Sequence, residues 1–336
     1  MPSLERDSNR IVIAGASSLL GAELKSLLEE SRFAGWDLRL VDEEVAAGTL
    51  TEAGGEPAVI QPVEEGSFEK ARFVFFTGSF DFTVANFEMA QRSGAVVIDM
   101  SGFSTPLANT FVWYPGIEDL RGQTLPEKPH VTAIPSAAAE AVVRLSLALR
   151  ELGVRHITVT VLQPVSVAGK RGVEELETQT KQLLSFQSSG KELFDLQVAF
   201  NSLDRFGPRS RFILNEARST LRNEIRGCLR EEAALPAVNL IHVPVFYGVT
   251  FSACAKLDDG LDEERVSDAC EQGGFAILDE VGIGPNNISA AGETVIQLSK
   301  PKADGLLSGS WWFWGAADNI RVPAWNAVKL AEKLVP

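Results

Sequence analysis

The sequence RIVIAGASSLLG, at residues 10–21, predicts the fold of the amino-terminal part of this chain. Arg10 to Ala14 form a short apolar run rich in β-branched side chains, which is typical of a buried strand. Small residues then make a turn, and leucines follow at helical spacing, at positions 20, 24, 27 and 28. The stretch therefore predicts a strand, a tight turn and a helix in direct succession.

The same alternation continues along the next part of the chain. Strands are predicted at Asp37–Val41, Ala71–Phe76 and Ala95–Asp99, and a helix is predicted at Phe82–Arg92. Strands that alternate with helices in short units form mostly parallel, doubly wound sheets with right-handed crossovers. We therefore expect an α/β domain at the amino terminus.

After about Ile134 the sequence pattern changes to longer strands separated by long helices, which predicts a second, α+β domain. The segment Gln187–Arg211 is rich in Ser, Gly and Asp and is predicted to be a long loop. The predicted strands are Val159–Val167, Ile241–Phe246, Val249–Leu257 and Ser310–Trp314, and the predicted helices are Glu174–Leu184, Asn215–Arg230, Asp262–Gln272 and Pro323–Leu334.

Charge and cysteine content exclude several classes of function. The chain has 336 residues, with 31 Lys and Arg against 45 Asp and Glu, and its net charge of -14 repels nucleic acids and anionic membranes. The three cysteines are an odd number without CxxC spacing, which argues against a disulfide framework and against a zinc site. We expect no metal and a reducing cytoplasmic location.

The turn between the first strand and the first helix is a candidate cofactor loop. Backbone N–H groups at a helix amino terminus can hold a pyrophosphate, and the expected contacts come from Gly15, Ser17, Ser18, Leu20 and Gly21. The middle position of the loop, which usually carries glycine, is Ser18. Its side chain leaves less space for a dinucleotide to approach the loop backbone. The loop is therefore either a dinucleotide site or a structural strand-to-helix turn.

Asp42 bears on the choice of cofactor. It ends the second predicted strand, 21 positions after Gly21, where an acidic side chain typically binds the ribose 2′-hydroxyl of NAD. With Glu43 and Glu44 beside it, Asp42 would repel the 2′-phosphate of NADP, which favours NAD. The alternative is a solvated acidic turn.

Six segments together carry a resemblance to a known family. The segments are Ala95–Phe103 (AVVIDMSGF), Val131–Ala137 (VTAIPSA), Thr160–Glu177 (TVLQPVSVAGKRGVEELE), Ala199–Leu203 (AFNSL), His242–Val249 (HVPVFYGV) and Asp318–Glu332 (DNIRVPAWNAVKLAE). In the family's order, and close to its spacing, they resemble aspartate-semialdehyde dehydrogenase, and the chain is most similar to the Usg-type paralogues of that enzyme.

The resemblance implies a fold and a domain division. It implies a Rossmann-like dinucleotide-binding domain at residues 1–134, completed by a carboxy-terminal helix at residues 318–336. It also implies a substrate and dimerisation domain with a large mixed sheet at residues 135–317. The expected partner is a second copy of the chain.

The resemblance also implies which chemical groups are missing. In the family a cysteine thiolate attacks the substrate carbonyl and a histidine handles the proton, and these positions correspond to Ala137 and Val249. A family arginine that binds the substrate carboxylate corresponds to His242, and a second arginine corresponds to Ser104 or Thr105.

Two further positions match family residues that bind ligands. Gln163 matches a glutamine that positions the acyl group, and we expect Gln163 and His242 to form a vestigial substrate site. Gly169 lies in the turn that faces the cofactor in the family.

A nucleophile and a base are both absent at the matching positions, so we expect a pseudoenzyme that is inactive in the NADP- and phosphate-dependent reaction of this oxidoreductase family of amino-acid biosynthesis. General acid–base catalysis alone typically contributes ~10² to 10⁴-fold, and covalent catalysis requires its nucleophile. The expected function is a dimer that binds a dinucleotide, NAD(P), or a protein partner. The alternative is an oxidoreductase that acts on a different aldehyde or acyl substrate with other catalytic residues.

Overall fold

The computed structural model describes residues 9–46, 48–53, 56–122, 124–278 and 284–335. The chain divides into two compact units: the first comprises Met1–Ser136 and Pro323–Pro336, and the second comprises Ala137–Val322. Each unit contains a seven-stranded sheet, with parallel pairs in the first and both parallel and antiparallel pairs in the second. The predicted fold class, a Rossmann-like sheet plus an α+β unit with a large mixed sheet, is confirmed.

The first unit follows the strand and helix alternation predicted from the sequence. Its elements are β1 (Arg10–Ala14), α1 (Leu19–Glu29), β2 (Asp37–Asp42), β3 (Leu50–Ala53), β4 (Glu56–Val59), β5 (Gln61–Pro62), β6 (Phe73–Phe76), α2 (Phe80–Arg92), β7 (Val96–Asp99), β8 (Phe111–Val112), α3 (Ile117–Arg121) and β9 (Val131–Ala133).

The first sheet is buried on both faces at its centre. Its strand order is β5-β2-β1-β6-β7-β9-β8, and residues 11–14 of β1 and all four residues of β6 are buried. Parallel strands of this kind require nearly continuous apolar sequence, which RIVIA and FVFF supply. The strand order reverses at β1, and in open α/β sheets ligands bind beyond the carboxyl ends of the strands at such a point. The loop after β1 lies there.

The second unit begins with the helix that follows β9. Its elements are α4 (Ala137–Ala148), β10 (His156–Gln163), α5 (Gly169–Leu184), α6 (Leu214–Leu229), β11 (Ala237–His242), β12 (Val249–Lys256), α7 (Glu263–Gln272), β13 (Ala276–Leu278), β14 (Gln297–Ser299), β15 (Lys302–Ala303) and β16 (Ser310–Ala317), and they are followed by α8 (Arg321–Lys333).

One face of the second sheet is covered and the other is open. In β16, Trp311 and Phe313 are buried at 4% and 2% exposure, whereas Trp312 and Trp314 are 47% and 37% exposed. Helix α4 packs against β10 and β12. Alternation of this kind is what a sheet with a single covered face requires. We refer to the uncovered side that carries Trp312 and Trp314 as the open face.

Two predicted strands were placed wrongly. The strand predicted at Ile241–Phe246 in fact begins at Ala237 and ends at His242, because Pro244 cannot donate to a ladder and Val245 N–H instead bonds Val243 O at 2.8 Å. The strand predicted at Val159–Val167 ends at Gln163, since Pro164 follows and residues 165–168 form a 3₁₀-helix. The turns after both strands are only partly buried, since Val165 is 1% exposed but Val167 and Phe246 are 45% and 40% exposed.

The predicted long loop at Gln187–Arg211 contains no helix, and its only strand-like pairing is a single bridge between Leu203 and His242. We call residues 187–211 the long loop. Among the described residues, no helix combines the length and apolar character needed to cross a membrane.

Candidate functional site

The loop after β1 depends on its two glycines. Gly15 has φ +93°, and a Cβ atom there would lie 2.2 Å from Gly78 N. A Cβ atom on Gly21 would lie 2.6 Å from Gly15 O. Both positions therefore require glycine, because the backbone after β1 approaches the backbone after β6 and the first turn of α1.

Ser18 is the amino-terminal cap of α1. Its Oγ accepts a hydrogen bond from Gly21 N at 2.8 Å and donates one to Thr77 O at 2.9 Å. A capping serine satisfies one of the helix's free N–H groups and typically contributes ~1 kcal/mol. The hydroxyl that replaces the usual glycine is thus engaged within the protein, so its role is structural.

Two backbone donors remain at the start of α1. Among the described residues, the N–H groups of Leu19 and Leu20 have no hydrogen-bond partner, whereas Ser17 N–H bonds the Asp42 carboxylate. Free N–H groups at the amino terminus of an 11-residue helix favour an anionic ligand. Together with the close backbone approach at Gly15, they fit the pyrophosphate of a dinucleotide.

Asp42 holds the same loop in place. Its side chain is buried at 7% exposure, Oδ2 accepts from Ser17 N at 2.7 Å, and Oδ1 accepts from Glu43 N at 2.8 Å. A carboxylate has about four acceptor positions, so these two bonds leave it able to accept from a ribose hydroxyl. Glu44 is exposed.

In the second unit, three of the predicted site residues lie at one end of the mixed sheet. Gln163, the last residue of β10, pairs in parallel register with His242, the last residue of β11. Strands β10 and β12 are antiparallel, with Leu162 opposite Thr250, so Gln163 ends β10 beside the start of β12 at Val249. The order His242, Gln163, Val249 therefore runs across the end of the sheet.

His242 is enclosed by aromatic rings. Its side chain is 1% exposed, and its ring lies 5.8 Å from that of Phe194 and 5.2 Å from that of Phe206, measured between centroids. Burial lowers the pKa of His242 from its ordinary value of 6.5 to about 4. Its Nε2 atom has no hydrogen-bond partner within the described chain. The imidazole is neutral at pH 7 and cannot replace a cationic guanidinium.

Neither of the two positions that the resemblance matches to the nucleophile and the base carries a reactive group. Ala137 is the first residue of α4 and is 1% exposed, and Val249 begins β12 and is 3% exposed. The Gln163 side-chain amide makes no hydrogen bond to any described residue. Among Ala137, Val249 and Gln163, the Gln163 amide is thus the polar group that remains available to a ligand.

The hydroxyl groups of Ser104 and Thr105 lie in the first unit, after β7. Both residues are buried, and neither hydroxyl has a hydrogen-bond partner among the described residues. They provide neutral hydroxyl groups at the position where the resemblance implies a cation.

Sequence reasoning missed Asn319. Its Oδ1 accepts from Gly248 N at 2.8 Å, and its Nδ2 donates to Ser166 Oγ at 3.1 Å. It thereby joins the turn before Val249 to the turn before Gly169, which has φ +72°. The signal that could have revealed it is the Asp-Asn pair directly after the aromatic strand β16.

No cysteine offers a substitute nucleophile. All three are free thiols, and burial raises the pKa of Cys254, with the Asp304 carboxylate as the second cause. Burial also raises the pKa of Cys270 to about 12. Within the described part of the chain, no group of three or more His, Cys, Asp or Glu residues could hold a metal ion.

Comparisons with known proteins agree on one family. The family model described as semialdehyde dehydrogenase, dimerisation domain, matches residues 146–322. A USG-1 protein homologue of Azotobacter vinelandii is 30% identical over 97% of both chains. Aspartate-semialdehyde dehydrogenase 2 of Vibrio cholerae is 26% identical, again over 97% of both chains.

Solved structures of similar proteins share the fold across both units. A probable aspartate-semialdehyde dehydrogenase from Pseudomonas aeruginosa superimposes with a TM-score of 0.85 and 26% identity, over 97% of this chain and 98% of that one. Aspartate semialdehyde dehydrogenase II from Vibrio cholerae gives 0.83 and 25%, with the same coverage. The Candida albicans enzyme, solved with NADP, gives 0.67 at 14% identity over 97% and 99% of the two chains, which is a likeness of fold alone.

Proposed function

This chain belongs to the aspartate-semialdehyde dehydrogenase family, as its sequence predicts, and on that premise we propose that it is a dinucleotide-binding homodimer without the family's thiol-dependent chemistry. One observation supports the proposal: Ala137 and Val249, which the resemblance matches to the nucleophile and the base, are buried aliphatic side chains. Covalent aldehyde oxidation cannot begin without a nucleophile.

A dinucleotide site is supported by the geometry of the first unit. The Leu19 and Leu20 N–H groups would bind the pyrophosphate, Gly15 would allow its close approach, and Asp42 would accept from a ribose hydroxyl. The acidic side chains of Asp42 and Glu44 favour NAD over NADP. A nicotinamide would supply hydride chemistry in an enzyme, but neither Ala137 nor Val249 could form the covalent intermediate that donates the hydride.

A homodimer is supported by the matched dimerisation domain and by the surface of the second unit. The open face presents two tryptophans, and both indoles are held in place: Trp312 Nε1 donates to Asp304 Oδ2 at 2.8 Å and Trp314 Nε1 to Pro285 O at 2.7 Å. Large exposed aromatic side chains with fixed conformations lose little entropy on association. We therefore propose that the second copy packs on the open face.

The three free cysteines support a cytoplasmic location for the protein.

An oxidoreductase acting on another substrate would need a titratable group in the row formed by Gln163, His242 and Val249. His242 is the titratable member of that row, and it is buried, neutral and surrounded by phenylalanine rings. Its environment therefore does not favour proton transfer.

The test is an assay of the purified protein with aspartate semialdehyde, phosphate, and NAD or NADP, combined with a fluorescence titration by NADH and by NADPH. We expect saturable NADH binding and no turnover above the protein-free rate. A double variant, Ala137→Cys with Val249→His, tests whether the missing groups are limiting, and Ala137→Ser with Val249→Asn is the matched control. Turnover by the unmodified chain would contradict the proposal of inactivity, and absence of binding by either nucleotide would contradict the proposed dinucleotide site.

A further inference from the structure

Helix α6 carries a stripe of three arginines that runs along the free edge of the second sheet. Arg218, Arg222 and Arg226 recur every four residues, which places them on one side of the helix. Strand β11 is the terminal strand of the sheet, so alternate carbonyl groups of this strand point away from β10.

The first two arginines of the stripe bind those carbonyl groups. Arg218 Nη2 donates to Leu240 O at 3.0 Å. Arg222 donates to Val238 O from Nε at 2.9 Å and from Nη2 at 2.6 Å. A step of four residues forward along α6, from Arg218 to Arg222, thus corresponds to a step of two residues back along β11, from Leu240 to Val238. The edge of β11 is covered by charged side chains, which prevents another strand from pairing there.

The third arginine breaks this series. By the same correspondence, Arg226 lies opposite Pro236, but its guanidinium makes no hydrogen bond or ion pair with any described residue. It instead lines a cavity of about 400 Å³ between the end of α6 and the start of β11. Arg222 lines the same cavity, and its Nη1 has no partner among the described residues.

The rest of the lining is mostly apolar. Ile225, Leu235 and Pro236 contribute carbon surface, and Thr158 and Asn239 contribute neutral polar groups. No aspartate or glutamate occurs among the described lining residues, although the chain carries a net charge of -14. Two arginines one turn apart repel each other, and none of the described residues that line this cavity carries a carboxylate that would offset the repulsion.

We propose that this cavity binds a small aliphatic carboxylate. The anion would lie between the free guanidinium of Arg226 and Nη1 of Arg222, which is already oriented by its two bonds to Val238 O. A guanidinium binds carboxylate through parallel N–H donors, and such charge-assisted bonds are the stronger ones. The aliphatic tail would pack on Ile225, Leu235 and Pro236. The site is independent of the proposed dinucleotide site and of the row at Gln163.

Isothermal titration of the full chain with hexanoate tests this site, and hexanol and inorganic phosphate serve as comparison ligands. We expect saturable binding of hexanoate, with weaker binding of hexanol, which lacks the charge, and of phosphate, which lacks the tail. Arg226→Gln should raise the Kd for hexanoate about 10-fold or more, because it removes a charge-assisted bond. Leu235→Asp should abolish binding by placing a carboxylate against the ligand.

Arg205→Gln is the matched control, because Arg205 is an exposed arginine of the same unit that pairs with its neighbour Asp204. It should leave hexanoate binding unchanged. Each of three outcomes would overturn the proposal: no saturable binding of hexanoate, equal binding of hexanol, or equal hexanoate affinity in Arg226→Gln and the unmodified chain. Far-ultraviolet circular dichroism of Arg226→Gln ensures that a loss of binding does not reflect unfolding.

Discussion

The Asp42 carboxylate accepts a hydrogen bond from the backbone N–H of Ser17, with 2.7 Å between Oδ2 and the nitrogen. This bond joins the end of β2 to the loop after β1, so one side chain both shapes the candidate dinucleotide loop and borders it. A substitution of Asp42 should therefore change two measurable quantities, the stability of the first unit and its affinity for nucleotide.

Replacing Asp42 with alanine should lower the free energy of unfolding by ~1–3 kcal/mol, because the Ser17 N–H loses its acceptor. It should also raise the Kd for NADH about 10-fold, through loss of the ribose contact and of loop order. Urea unfolding and fluorescence titration measure the two effects. Asp42→Asn is the control, since it keeps an acceptor but removes the charge. If Asp42→Asn leaves the ratio of NADH to NADPH affinity unchanged, the predicted NAD preference is wrong.

His242 should make the protein less stable in mild acid. Its pKa is about 4 in the folded chain and about 6.5 when unfolded, so between these values the unfolded state binds the extra proton. The stability contributed by neutral His242 is present above pH 6.5 and is lost as the pH falls toward 4. The linkage relation gives a loss of about 2 kcal/mol between pH 7.5 and pH 5.

The variant His242→Phe isolates this effect, because phenylalanine fills the space beside Phe194 and Phe206 without titrating. Urea unfolding of both proteins at pH 7.5 and pH 5 should show a smaller loss in the variant, by about 2 kcal/mol. Equal losses in the two proteins would mean that His242 does not titrate differently on unfolding.

Gln179 should hold the long loop against α5. The side chain is fully buried, and its replacement by leucine would leave backbone groups of the loop without partners, at ~1–3 kcal/mol for each group that water cannot reach. We expect a drop of about 3 kcal/mol in the free energy of unfolding and faster proteolysis within the loop. The bonds concerned run from Val198 N and Ala199 N to Oε1, at 2.8 and 3.2 Å, and from Nε2 to Gly190 O and Leu196 O, at 2.9 and 3.2 Å.

A neighbouring glutamine of the same helix provides the control for that experiment. The Gln182 side chain accepts one bond, from Gly190 N to Oε1 at 3.0 Å, and this bond is exposed. Gln182→Leu should therefore change the unfolding free energy by less than about 1 kcal/mol. Similar effects of the two substitutions would contradict a special role for Gln179.

Replacing Trp312 with glutamate should convert the proposed dimer to a monomer. The substitution places a charge at the open face, where an unpaired buried charge opposes association strongly. Size-exclusion chromatography with light scattering gives the mass directly. Leu50→Glu is the control, since Leu50 is 76% exposed in the first unit and should not affect assembly. A Trp312→Glu protein that remains dimeric would exclude the open face as the interface.

Much of the fold could be predicted because it depends on patterns within short stretches. The run RIVIA became β1 with the predicted bounds, and the following leucines placed α1. A strand that is buried on both faces needs a continuous run of apolar residues, whereas a strand that is buried on one face needs apolar and polar residues in alternation. The sequence of a strand therefore indicates how its two faces are covered. HVPVF misled the prediction because the apolar residues of this half-buried turn have the same pattern as a strand.

Residue identity and local pattern were enough to predict the main alternation of strands and helices, the family, and the absence of a sulfur at position 137 and an imidazole at position 249. The fold was needed to show that Asp42 bonds Ser17, that phenylalanines flank His242, and that the Arg226 guanidinium lacks the carbonyl partner that Arg218 and Arg222 have. Hydrogen bonds and pKa values depend on atoms within a few ångströms, and those atoms come from residues far apart in the chain. Folding, rather than local sequence, therefore sets them.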